Sequence, residues 1–175
     1  MVLGKKEDDV EKKITSWLIE EGFRIAKLEK APGLEVSWGY NIFTPPPTEV
    51  NVKIFQPKSF PSQIVLLMGV SFSKPHQEEL VRLSIDERIK FMSTLLIDLT
   101  KICPVCRIGV QPNMATPQAI IVTRILMKDE VTKSLVLDEI TRLVNCFLVV
   151  NASLWKRFPR IKGAEVQKQA PPTVM

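Results

Sequence analysis

At 175 residues, 45% apolar and 25% charged, the chain has the size and composition of one soluble globular domain with a core of its own. No apolar run reaches the ~18 residues of a membrane span, and the opening Met-Val-Leu-Gly-Lys-Lys-Glu-Asp-Asp is charged where an export signal would be apolar. Three cysteines are no disulfide framework, so a cytoplasmic protein is expected. The net charge of +5 is uneven. From Trp155 onward Lys156, Arg157, Arg160, Lys162 and Lys168 stand against Glu165 alone, which is +4 and leaves +1 for residues 1–154.

Residues 7–21 are expected to form the first helix, with Val10, Ile14, Trp17 and Leu18 on one face. Asp8 and Glu11 read as a capping box, and Gly22 as the left-handed residue that ends the helix. The period then falls to two. Arg24–Lys30 and Leu34–Phe43 flank Pro32-Gly33, a pair suited to a type II turn, so a hairpin is expected. Its aromatic residues, with Phe55, read as core or interface rather than a ligand pocket. Thr44-Pro-Pro-Pro-Thr48 is a stiff connector, since proline lacks a donor. Val50–Phe55 alternates again. Ile64–Phe72 is continuously apolar, as suits a strand at the centre of a sheet.

Residues 76–82 read as a short turn. Ser84 and Glu87 form a capping box that opens a helix from Ile85 to Cys103, where Pro104 stops it. Strands Val105–Gln111 and Ala119–Met127 follow. The closing helix is expected from Asp129, as its cap, to Phe158, with Val136, Ile140, Leu143, Val144, Phe147, Val150 and Leu154 facing the core. A second apolar set on it, Leu137, Leu148, Val149 and Trp155, exceeds what one sheet can cover. Past Pro159 the chain turns polar, so residues 1–158 are expected to be one domain and 159–175 a mobile basic tail.

Chemistry is sparsely signalled. Cys103-Pro-Val-Cys106 lies at a helix C-terminus, where the dipole opposes a reactive thiolate. With Cys146 these residues read as small buried hydrophobes, against redox, disulfide and metal alternatives. His76 reads as part of a first helical turn, and no serine is paired with it in sequence. The glycines form no phosphate cradle. No catalytic, cofactor or metal residues are therefore assigned. Lys156, Arg157, Arg160 and Lys162, interleaved with Trp155 and Phe158, could hold a nucleic-acid backbone.

Strands in blocks between helices argue for an α+β fold with an antiparallel sheet, in the order α, three or four β, α, β, β, α. This order, with the strand Ile64–Ser73, the Lys74-Pro75-His76 passage and the Ser84-x-x-Glu87 helix start, resembles the topology of type III secretion chaperone-like and YbjN-like proteins. It is also similar to an uncharacterised family of archaeal single-domain proteins. The resemblance implies a homodimer that holds a protein or peptide partner. Such chaperones are commonly acidic and this chain is basic, so an export role does not carry over. The expected function is non-enzymatic protein binding by a homodimer. Nucleic-acid binding through the basic segment, and an enzyme or ligand binder with an unadvertised pocket, are the alternatives.

Overall fold

A computed structural model describes residues 4–29 and 33–161, and of residues 4–8 the backbone alone. The elements are helix α1 (Gly4–Glu20), strands β1 (Arg24–Lys27), β2 (Val36–Phe43), β3 (Asn51–Pro57) and β4 (Gln63–Ser71), helices α2 (Lys74–Arg82) and α3 (Ile85–Ile102), strands β5 (Arg107–Gln111) and β6 (Ala119–Met127), a 3-10 turn (Lys128–Glu130) and helix α4 (Lys133–Arg157). The strands bond in the order β1-β2-β3-β4-β6-β5, which makes β4 an inner strand as its apolar run requires. Four of the neighbouring pairs are antiparallel by register. The Lys128 N–H donates to Ser62 O and the Phe72 N–H to Gln118 O, both at 2.8 Å, so β4 and β6 run antiparallel too. The chain is therefore α+β with an antiparallel sheet. It folds as two compact units divided at residues 67/68, 123/124 and 141/142, and β4, β6 and α4 each run from one unit into the other.

The first unit holds α1, β1–β3, the start of β4, the end of β6 and the start of α4. Helix α1 begins at Gly4, so Asp8 is interior and not its cap. It ends as the sequence demands. Gly22 adopts φ 79°, its N–H donates to Ile19 O, and the Phe23 N–H donates to Leu18 O, the paired bonds of a Schellman motif. The hairpin forms with shorter arms than expected. Gly33 has the positive φ a type II turn needs, while Pro32 lies outside the described residues.

Register sets Tyr40 opposite Ile54 and Ile54 opposite Leu66, so these three share a face. Stepping four residues from the Ser62–Lys128 bond sets Leu66 opposite Arg124 on that same face. Both helices of the unit reach it. The Tyr40 hydroxyl donates to Glu11 of α1 at 2.6 Å, and the carboxylate pushes the phenol pKa up to about 12. Arg124 Nε lies 3.2 Å from Glu139 Oε2 of α4. Glu139 is 4% exposed, not on a solvent face as a glutamate there would lead one to expect. Lys133 joins the helix ends, 3.0 Å from Glu20 and 2.8 Å from Glu21.

Helix α4 starts four residues later than Asp129. Asp129 and Glu130 form the 3-10 turn instead, and the Thr132 hydroxyl accepts from the Leu135 N–H at 3.2 Å as the cap. The reason is tertiary: Lys128 is still bonded to Ser62 as a strand end. At ~1.5 Å per residue the helix is ~38 Å long.

The second unit holds the rest of β4, α2, α3, β5, the start of β6 and the later part of α4. The passage expected as a turn at 76–82 is the nine-residue helix α2, with Pro75 in its first turn. The Ser84–Glu87 box forms in full: Ser84 Oγ accepts from the Glu87 N–H, and the Glu87 carboxylate accepts from the Ser84 N–H. Arg88, one residue on, is buried. Its guanidinium donates to the Leu80 carbonyl at 2.7 Å, to Val81 and Leu83 at 2.9 Å each, and to Ala115. It closes the C-terminus of α2 where helical carbonyls lack partners.

Candidate functional site

His76 and Ser73 come closest to a chemical constellation. Ser73 Oγ lies 2.7 Å from His76 Nδ1, so a serine does stand beside the only histidine, contrary to expectation. The imidazole is 3% exposed, against the Phe158 ring at 6.2 Å, and burial lowers its pKa. Nε2 is buried and has no hydrogen-bond partner among the described residues. An activated nucleophile needs a base oriented by a third group and open to substrate. Here the contact joins the N-cap of α2 to its first turn, which is a structural tie.

Cys103 and Cys106 are bridged, with Cα atoms 5.2 Å apart, well inside the range a disulfide spans. This corrects their reading as separate buried thiols. Pro104 ends α3 and turns the chain back, so the two cysteines meet across the turn and β5 starts at Arg107, two residues later than expected. Cys146 is the free, buried cysteine, its thiol pKa raised to about 11 by burial. The bridge closes a very short loop, worth about 2 kcal/mol in the chain-entropy account. Reductant should lower the melting temperature by about 4–8 °C. A Cys103→Ser/Cys106→Ser variant should melt at the reduced value and no longer respond to reductant. Among the described residues, no three His, Cys, Asp or Glu side chains are grouped to hold a metal.

A groove of about 520 Å³ lies in the second unit between α3 and α4. Glu87, Lys90, Phe91, Thr94 and Asp98 line it from α3 at spacings of three and four. Ser153, Lys156 and Arg157 line it from α4. Both acids are engaged. Glu87 is held in its capping box, and its carboxyl pKa is lowered chiefly by Ser84; Asp98 accepts from Lys101 at 3.0 Å. Arg157 approaches Glu87 at 3.9 Å. Lys90, Lys156 and the Ser153 hydroxyl have no partner among the described residues. Phe91 meets Phe158 edge-on at 6.1 Å behind the groove.

Of the residues expected to bind nucleic acid, Lys156 and Arg157 therefore share this groove. Arg160 is exposed, and Lys162 lies outside the described residues. Of those expected to meet a partner, Leu148 is 46% and Trp155 50% exposed, while Leu137 and Val149 are half-buried. Leu137, Leu148 and Trp155 are separated by eleven and seven residues, whole turns, so they follow one line along α4 with Val144 and Ala152. Val149 departs from it. At spacings of four and seven it sits with Ser153 and Lys156, on the groove side. Lys90, Phe91 and Thr94 were not anticipated as site residues. Their polar, aromatic and hydroxyl character on one stripe was a visible signal, but the facing residues lie some 60 positions away in sequence.

Residues 10–154 match the family described as "Uncharacterized conserved protein (DUF2299)". The chain belongs to this family. The crystal structure of an uncharacterized protein from Methanothermobacter thermautotrophicus is similar to this DUF2299 chain, with a TM-score of 0.73 at 21% identity over 85% of this chain and 99% of that one. At that identity the likeness is one of fold. No curated protein matches the DUF2299 chain. No described helix is long and apolar enough to cross a membrane.

Proposed function

We propose that this chain is a non-enzymatic protein-binding module of type III secretion chaperone-like, YbjN-like topology, and that it acts as a homodimer through the outer line of α4. The observation that carries this is the exposure of Leu148 and Trp155 along the same helix as Leu137 and Val144. A second copy is the occupant that the line fits. Leu137 and Trp155 lie nine residues either side of Cys146, and Val144 and Leu148 two residues either side. An antiparallel pair of α4 helices with its two-fold axis at that level would set Leu137 against Trp155 and Val144 against Leu148.

In this reading the dimer offers an edge or groove to a protein or peptide partner. The compartment is the cytoplasm, where half-exposed Cys106 would exchange with the thiol pool. We infer an archaeal source from the organism of the similar structure. A second reading, nucleic acid held by Lys156, Arg157 and Arg160, gains a fourth cation from Lys90, which lines the groove with Lys156 and Arg157.

Light scattering at ~100 µM tests the dimer. The expected mass is twice 19.8 kDa, and Leu148→Asp and Trp155→Glu should each return it to 19.8 kDa with far-UV circular dichroism unchanged. A wild-type chain that stays at 19.8 kDa would remove the proposal.

A further inference from the structure

The groove between α3 and α4 points to a ligand that is independent of the dimer. Its lining contains three cations and two carboxylates, of which Glu87 is held by Ser84 and approached by Arg157 at 3.9 Å, and Asp98 by Lys101. Lys90 and Lys156 come from different helices and make no ion pair among the described residues. Two unpaired ammonium groups lining one concave surface repel each other, and an anion seated between them would lower that cost. Arg157 adds a planar fork suited to phosphate oxygens. The Ser153 hydroxyl has no partner among the described residues and can donate, and the Thr94 hydroxyl, which donates to Lys90 O at 3.0 Å, can accept. Phe91 supplies an apolar ring braced by Phe158, a surface for a flat group. A volume of about 520 Å³ suits a small molecule and is too small for a folded partner.

We propose that this groove binds a small phosphorylated molecule with a flat ring, the phosphate held by Lys90, Lys156 and Arg157 and the ring laid on Phe91. A polyanionic chain is the competing source of phosphate, because Arg160 adds an exposed cation three residues after Arg157.

Titration calorimetry of the full chain separates these, with adenosine monophosphate, inorganic phosphate, adenosine and a twelve-residue oligothymidylate as probes. Adenosine monophosphate should bind saturably and at least tenfold more tightly than phosphate or adenosine. Lys90→Ala/Lys156→Ala should weaken it at least tenfold, and Phe91→Ala should weaken the nucleotide but not phosphate. Lys90 and Lys156 are exposed, so the double variant should keep its fold, as circular dichroism would confirm. No saturable binding of the nucleotide at millimolar concentration would overturn the proposal, as would binding that the double variant leaves unchanged. Tight binding of the oligonucleotide alone, lost on Arg160→Ala, would overturn it in favour of a nucleic-acid surface.

Discussion

Replacing Arg88 with methionine should destabilise the protein by about 3–5 kcal/mol, among the largest effects open to a single charged residue. The side chain is 8% exposed and donates to four carbonyls, those of Leu80, Val81, Leu83 and Ala115. Three of these carbonyls lie at the end of α2 and its cap, and of them Leu80 alone also accepts a backbone N–H, that of Leu83 at 3.3 Å. Methionine fills much of the same space but donates nothing, so the Val81, Leu83 and Ala115 carbonyls would lose this donor and Leu80 would keep only the Leu83 N–H. Lysine should recover little, because one ammonium cannot span carbonyls that a planar fork reaches in several directions. Chemical denaturation would read the loss as a fall in midpoint, and melting should drop by on the order of 10 °C. A change below about 1 kcal/mol would mean that water reaches these carbonyls and the clamp is dispensable.

Glu139→Ala is the second large effect, expected at about 3 kcal/mol. Arg124 Nε approaches the Glu139 carboxylate at 3.2 Å without the alignment of a hydrogen bond, so the attraction is that of two charges in a poorly solvated place. Glu139 makes interactions besides this one, and removing its carboxylate disturbs those as well. The alanine variant leaves Arg124 half-buried opposite Leu66 without its acid. A double variant, Arg124→Met/Glu139→Leu, should be more stable than Glu139→Ala alone, because it does not leave the Arg124 charge without its acid. Denaturant midpoints of the two variants decide the matter. If the double variant is the weaker, the pair contributes more than its own desolvation costs.

Features made by neighbours in sequence were legible in advance. Ser84 and Glu87 are three residues apart, and their reciprocal bonds need no other part of the chain. Gly22 after Glu20 and Glu21 ends α1 because only glycine enters the left-handed region freely. The apolar run at Ile64 marked an inner strand for the same local reason. Where a distant partner competed, the local signal lost. Asp129 is as good a cap as Thr132, but Lys128 is tied to Ser62, so the helix waited for the threonine. Arg88 and Glu139 look solvated on a helical wheel, and only Ala115 and Arg124, brought close by folding, account for their burial.

The amino-acid pattern alone determined the α+β class, the antiparallel strands, the helix ends at Gly22 and Ser84 and the surplus apolar line on α4, because each depends on periodicity or on groups within a turn of one another. Tertiary structure decided which charges went inside and that Lys90 would share a groove with Lys156. Those outcomes rest on distances between residues remote in sequence, and such distances exist only once the chain has closed on itself.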